Sequence, residues 1–127
     1  GALEEAVAYS ADRSAFGKPI FKHQAVSFML ADMATKIDAA RLLTWRAALK
    51  CDSGHRNTLE AAHAKRFAAD MAMEVTTDAV QIFGGYGYSE EYPVARRMRG
   101  AKVVQIFEGS SQIQRLIIGR EMLRESK

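Results

Sequence analysis

Cysteine occurs once in these 127 residues, at Cys51, so no disulfide framework can staple the chain and a reducing compartment is expected. No apolar run approaches the ~20 residues that a membrane-crossing helix needs. The opening Gly1-Ala2-Leu3-Glu4-Glu5 carries acid where a secretory signal carries base. His23, His55 and His63 fall outside any HExxH or Cys/His spacing, so no metal site is expected. A strong charge of one sign is missing as well, since the formal net charge is only +3. Basic residues gather at Arg96, Arg97, Arg99 and Lys102 without the interleaved aromatics of a nucleic-acid platform. No nucleic-acid partner is expected, and a solvated helix face, or a patch that meets acidic groups on a partner, suits the cluster better.

What is present has the balance of an ordinary globular domain, 48% hydrophobic and 26% charged. A chain of this length suits one domain with a small core. Leu3, Ala6 and Val7 recur at helical spacing with no cap before them, as in a helix cut in the middle, and a fragment boundary is expected there. The pattern stops near Arg13, ahead of a turn through Phe16-Gly17-Lys18-Pro19. From about His23 to about Cys51, residues Val26, Met29, Leu30, Met33, Ile37 and Ala40 step along one helical face. Cys51 itself reads as a semi-buried thiol near a helix end.

Asp52-Ser53-Gly54 breaks that rod, and Asn57 with Glu60 then has the spacing of a capping box. The next helix places Phe67, Met71, Val75, Ala79 and Ile82 on its inner face and stops at Gly84-Gly85. Two long helices joined by so short a turn must run antiparallel. Pro93 opens a short helical piece over residues 94 to 99, followed by an apolar stretch of Val103, Val104, Ile106 and Phe107. A last helix is predicted to start near Ser110 or Ser111 and to carry Ile113, Leu116, Ile117 and Leu123. No β-alternation runs for more than a few residues. The expectation is an all-α fold, an antiparallel four-helix bundle with a short extra helix.

Three segments hold candidate chemistry. In Ile106-Phe107-Glu108-Gly109-Ser110-Ser111-Gln112, a carboxylate sits in an apolar loop just before a helix cap. Apolar neighbours raise the basicity of a carboxylate, while the helix start offers amides and the positive end of a dipole. Spacing alone leaves open a commoner reading, that Glu108 merely charges the helix start. Gln81-Ile82-Phe83-Gly84-Gly85-Tyr86-Gly87 could cradle a phosphate, or could be a helix C-cap and open turn; it lacks the third glycine of a Rossmann fingerprint. Arg13 stands before a turn, where a guanidinium suits phosphate but where surface arginines are also common.

Taken in order, "DRSAFGKPIFKHQAVSFMLADMATKIDAAR", "AKRFAADMAMEVTTDAVQIFGGYGYSEEYPVARRMR" and "QIFEGSSQIQRLIIGREML" resemble the C-terminal domain of acyl-CoA dehydrogenases, the medium-chain type above all. The resemblance covers nearly the whole chain and implies that an N-terminal helical domain and a middle β domain lie outside it. It implies FAD as cofactor, and Glu108 as the base that takes the pro-R α-proton of an acyl-CoA thioester. A hydride would leave the β-carbon for flavin N5, giving the trans-2-enoyl-CoA, with the Glu108 amide helping to hold the thioester carbonyl. By the same resemblance, Arg13, Phe16, Gln24, Gln81, Gly84 and Gly85 meet a neighbouring subunit's flavin. Ser110 and Gln112 contact the flavin of their own subunit, and Phe107 and Gly109 lie beside the acyl-CoA.

The family pattern further implies an electron-transfer flavoprotein as acceptor, a homo-oligomer (dimer or tetramer), and the bacterial cytoplasm or mitochondrial matrix as location. Ala15 stands where the medium-chain type has threonine, Ser110 replaces a commoner threonine, and Gly100 replaces an aspartate. The first puts one cofactor hydroxyl contact in doubt and the last a local salt bridge. Competing expectations are an acyl-CoA oxidase-like relative and a non-catalytic helical association module.

Overall fold

Residues 1–125 are described by a computed structural model, in which the helical periodicities become five α-helices. They are α1 Ala2–Asp12, α2 Gln24–Asp52, α3 Thr58–Phe83, α4 Pro93–Val104 and α5 Ser111–Glu125. Between α1 and α2 lies a small hairpin, β1 Ser14–Ala15 paired antiparallel with β2 Lys18–Pro19. Its two central residues, Phe16 and Gly17, have φ of 52° and 79°, the positive values that a tight type I′ turn demands. The sequence shows the turn but not the ladder, because two-residue strands are too short to display alternation.

α2 spans 29 residues and α3 spans 26, and the turn over residues 53–57 lays them side by side, antiparallel. Much of what is buried is alanine: Ala6, Ala40, Ala47, Ala62, Ala64, Ala69, Ala79 and Ala101. Small side chains at the contacts let helix axes approach closely, so a thin chain of large residues suffices to fill the centre. Met33 and Val94 are 0% exposed and pack with Ala6, Val75, Ala79, Ile82 and Phe83. Val26, Met29, Leu30 and Ile37 border that cluster, as the α2 stripe predicts.

Aromatic rings close the end of the bundle. Tyr9 stacks on Phe83 with centroids 4.0 Å apart, and Tyr92 meets Phe83 edge-on at 5.5 Å, which ties α1, α3 and the start of α4 together. α3 ends where Gly84 takes φ 62°, and the 3-10 turn Gly84–Tyr88 folds back over its last turn. Gly87 permits that return: a Cβ there would lie 2.5 Å from Val80 O and 2.7 Å from the Phe83 side chain.

Several expectations change. Asn57 does precede α3, but its amide donates to Ala47 O (3.0 Å) and Glu60 accepts from Lys50 Nζ (2.7 Å), so no capping box forms. Both side chains brace α3 against α2 instead. Phe67 and Met71 are half-buried, and Cys51 is exposed. The short piece after Pro93 is a helix of 12 residues that absorbs Val103 and Val104.

α5 turns its polar side inward: Ser111, Gln114 and Glu121 are buried, while Ile113, Leu116 and Leu123 are exposed. Its inner neighbours explain this, since Glu121 accepts from Arg56 (2.9 Å) and Ser111 from α5 reaches Asp70 on α3 (2.8 Å). Within the basic cluster, Arg97 pairs with Glu5 of α1 rather than with an external acid. Among the described residues, no helix is long and apolar enough to cross a membrane, and no cluster of His, Cys, Asp and Glu is placed to hold a metal ion.

Met33→Ala should leave a cavity at the α2–α3 contact and lower stability by about 2–5 kcal/mol, read from the urea midpoint. Acid should loosen the helix ties in a defined sense. Hydrogen bonding from Arg97 holds Glu5 below its ordinary pKa, and hydrogen bonding from Lys50 does the same for Glu60. Groups with depressed pKa contribute stability above their ordinary value of 4.5 and lose it as pH falls through the lowered one. The thermal midpoint should therefore hold from pH 7 to pH 5 and fall below about pH 4, with Glu5→Gln removing part of that dependence.

Candidate functional site

Glu108 sits at the tip of the loop between α4 and α5. The end of α4 tightens through Ile106 N–H to Val103 O (2.9 Å) and Phe107 N–H to Val103 O (3.0 Å). Then Glu108 and Gly109 take φ of 52° and 91° in succession. For glutamate this left-handed backbone costs on the order of 1–3 kcal/mol, so the surroundings must impose it. Glycine is required next: at that φ, a Cβ on Gly109 would also lie 2.5 Å from Gln114 Nε2, which donates to Gly109 O (3.2 Å). Ser110 caps α5, its hydroxyl accepting from Ile113 N–H (3.4 Å) and its carbonyl from Gln114 N–H (2.9 Å).

The loop is closed by Ser111 N–H donating to Gln105 O (3.0 Å), which brings its two ends together. α3 grips those ends. Lys65 Nζ donates to Val104 O (2.7 Å) and lies 4.5 Å above the Phe107 ring. Asp70 Oδ1 accepts from Gln105 Nε2 and from Ser111 Oγ, both at 2.8 Å, while Oδ2 accepts from Arg115 (3.1 Å). Burial acts to raise the Asp70 pKa, but the Ser111 and Gln105 hydrogen bonds with the Arg115 and Arg66 charges outweigh it, and the carboxyl titrates below its ordinary value.

The apolar shelter expected around Glu108 is not built by this chain. Glu108 is exposed, and Ile106 and Phe107 are 61% and 43% exposed. A groove of about 600 Å³ opens between α2, α3 and the loop, lined by Ile106, Gln112, Asp70, Arg66 and Arg115 among others, but Glu108 is not in its wall. Glu108 is exposed on the loop that carries it, as are its neighbours Phe107 and Gln112, while Gly109 and Ser110 are half-buried.

A second cluster lies at the far end of α3, where about 14 residues of helix place it roughly 20 Å from Asp70. Arg13, Gly84 and Gly85 line a cleft of about 500 Å³ with Tyr9, Phe83 and Tyr86. The Arg13 guanidinium stands 5.5 Å over the Tyr86 ring. Its turn is pinned, not loose: Ile20 N–H donates to Arg13 O (2.8 Å), and His23 Nε2 donates to Ala15 O (3.0 Å).

Phe16 projects from the hairpin, 95% exposed and at positive φ, with its ring edge-to-face against His23. Gln24 begins α2 and Gln81 lies on the last turn of α3; both are exposed and neither lines the cleft. The structure thus gathers the candidates into two sets and leaves Gln24 and Gln81 beside the second. Nothing in the sequence marks Asp70 and Lys65 as part of the site, and His23 and Tyr86 gain their roles beside Ala15 O and Arg13 only in the fold. Asp70 stands four residues after Arg66, which looks like a surface helix pair until the loop is folded onto it.

The family model of the acyl-CoA dehydrogenase C-terminal domain matches residues 1–123. The cyclohexane-1-carbonyl-CoA dehydrogenase of Geobacter metallireducens is 53% identical over 126 residues, which are 99% of this chain and 33% of that protein. The structure of butyryl-CoA dehydrogenase from Megasphaera elsdenii aligns with TM-score 0.94 and 57% identity, over 96% of this chain and 32% of that one. An FAD complex of PigA aligns with TM-score 0.92 and 32% identity, over 95% and 32% of the two chains. The likeness therefore reaches beyond the medium-chain type, and the chain spans about a third of the length of the relatives it matches. Four helices around α3, the left-handed glutamate loop and these matches over nearly every residue together show that the chain belongs to the acyl-CoA dehydrogenase family, as its C-terminal domain.

Proposed function

We propose that this domain completes the active site of an FAD-dependent acyl-CoA dehydrogenase, which converts acyl-CoA thioesters to trans-2-enoyl-CoA in fatty-acid or branched-chain acyl breakdown. In this reading the N-terminal helical and middle β domains lie outside the chain, and Glu108 takes the α-proton. The observation that carries it is the left-handed backbone of Glu108. A residue that merely charges a helix start has no need of a strained, exposed turn whose ends are held by Lys65 and Asp70 of α3. Exposure on this domain fits as well, because a base that works on a substrate bound between domains must face out of its own.

The residues suit FAD. Arg13 in a cleft with Gly84 and Gly85, where a Cβ on either glycine would meet open space, offers a guanidinium and bare backbone to a pyrophosphate-bearing ligand. Phe16, almost wholly exposed, is a flat apolar surface in search of a partner ring. Gln24 and Gln81, exposed and outside the cleft wall, add amides to this set as the resemblance implies. As the family resemblance implies, this set serves the neighbouring subunit's flavin, while Ser110 and Gln112 serve the flavin beside their own Glu108; the roughly 20 Å of α3 between Asp70 and the cleft leaves room for that division. In this reading the enzyme is a homo-oligomer, dimer or tetramer, as in the family it resembles.

Bound flavin supplies the two-electron acceptor for the β-hydride. Glu108 accepts the α-proton on its carboxylate, the C–H electron pair becomes the new double bond, and Gly109 leaves room for the acyl chain beside Phe107. The Glu108 N–H, at the loop tip, is the donor toward the thioester carbonyl, whose oxygen gains charge as the α-proton leaves. An electron-transfer flavoprotein is the acceptor that then reoxidises the enzyme. The location is the bacterial cytoplasm or mitochondrial matrix, in keeping with one free, exposed cysteine.

Glu108→Gln in the complete enzyme should lower α-proton exchange and turnover by roughly 10²- to 10⁴-fold while flavin content stays at the wild-type level; near-normal dehydrogenation would remove Glu108 from the base role. Arg13→Ala should weaken FAD retention about tenfold or more, measured by equilibrium titration of the apoenzyme, with the helical signal of the protein unchanged.

A further inference from the structure

The left-handed Glu108 backbone is unfavourable by itself, so its direction is only as definite as the two ends of the loop that carries it. Gln105 is the last residue before the turn and Ser111 the first residue of α5 after it. Both side chains converge on one atom, Asp70 Oδ1, at 2.8 Å each. The other oxygen, Oδ2, takes Arg115 from the next turn of α5 at 3.1 Å and faces Arg66 Nε at 3.7 Å. Asp70 lies in the interior of α3, the most enclosed helix of the chain, between Ala69, which is 1% exposed, and half-buried Met71. One carboxylate on a rigid element thus gathers the residue before the loop, the residue after it and a charge on the following helix. The charge-assisted hydrogen bonds are stronger than neutral ones, which is what a strained segment needs of its anchor.

We propose that Asp70 is the positioning residue for the Glu108 base: by drawing Gln105 and Ser111 to a single point it aims the Glu108 carboxylate at the substrate's α-carbon. Asp70 touches neither Glu108 nor the cleft for the cofactor, and it acts through the loop alone. The inference rests on the reading of Glu108 as the base. Because Oδ1 makes both loop contacts, an asparagine that keeps this oxygen in place preserves the aim, while its NH2 replaces Oδ2 and gives up the charge and the hydrogen bond from Arg115.

The test uses the complete flavoenzyme. Asp70→Ala should lower kcat by roughly 10- to 100-fold with KM within about twofold, and should raise the deuterium isotope effect on α-deuterated acyl-CoA, since misaimed proton transfer becomes slower. Amide hydrogen exchange over residues 105–111 should quicken by about tenfold or more with no substrate present. Asp70→Asn should restore kcat to within about fivefold of wild type.

Ser111→Ala, which removes one of the two contacts, should fall between the two, with flavin content and thermal midpoint near wild type. Wild-type kcat and isotope effect in Asp70→Ala would overturn the proposal, as would a loss that asparagine does not relieve and that follows flavin content. If Asp70→Ala does not fold, Ser111→Ala with wild-type turnover and wild-type loop exchange overturns it equally. Glu108→Gln run alongside separates the two levels. Activity retained there fails the base assignment and this inference with it, whereas an inactive Glu108→Gln beside a normal Asp70→Ala fails only the role of Asp70.

Discussion

α3 is the element on which the other four helices depend. It packs against α1, α2, α4 and α5, and no other helix has more than a part of that company. What makes this possible is a surface of small residues, with Ala62, Ala64, Ala69 and Ala79 at or near full burial, so that neighbours can close in on several sides at once. The largest buried side chains then gather at its C-terminal half, against Met33 and Val94. The two functional regions are attached to its two halves: the glutamate loop through Lys65 and Asp70, and the Arg13 cleft through Phe83, Gly84 and Gly85.

Strain and exposure coincide at two residues. Phe16 and Glu108 are the non-glycine residues at positive φ among those described, and both face outward. Each costs on the order of 1–3 kcal/mol that an unstrained residue in the same place would not, and neither returns it by burial within this chain. A hairpin pinned by His23 supports the first, and the Asp70 network supports the second. Such positions are where a fold holds a side chain ready for something outside itself.

α5 shows the same outward orientation on a larger scale. A helix with polar residues buried and apolar residues exposed is the reverse of the usual surface helix. Glu121, only 6% exposed, is surrounded by Arg56, Arg120 and Arg124, so charge joins the half-buried Ile117 and Ile118 in holding the inner face. The contact with α3 is therefore specific in register, because a one-residue rotation would pull Ser111 from Asp70 and Glu121 from Arg56 together.

By itself the sequence determined the helices: the stripes along α2 and α3 have a period that only helices satisfy, and glycine and proline mark their ends because backbone geometry requires it. It also marked the Glu108 and Arg13 segments, through residues whose order matches one family. Tertiary structure decided which side of α5 faces inward, why Asn57 and Glu60 do not cap α3, and that Asp70 anchors the loop. Each of those depends on a polar partner far away in the chain, and a hydrophobic period carries no record of partners. The feature of most consequence, the left-handed turn at Glu108, is of the second kind: Gly109 hints at it, but only the closing of α5 onto α3 imposes it.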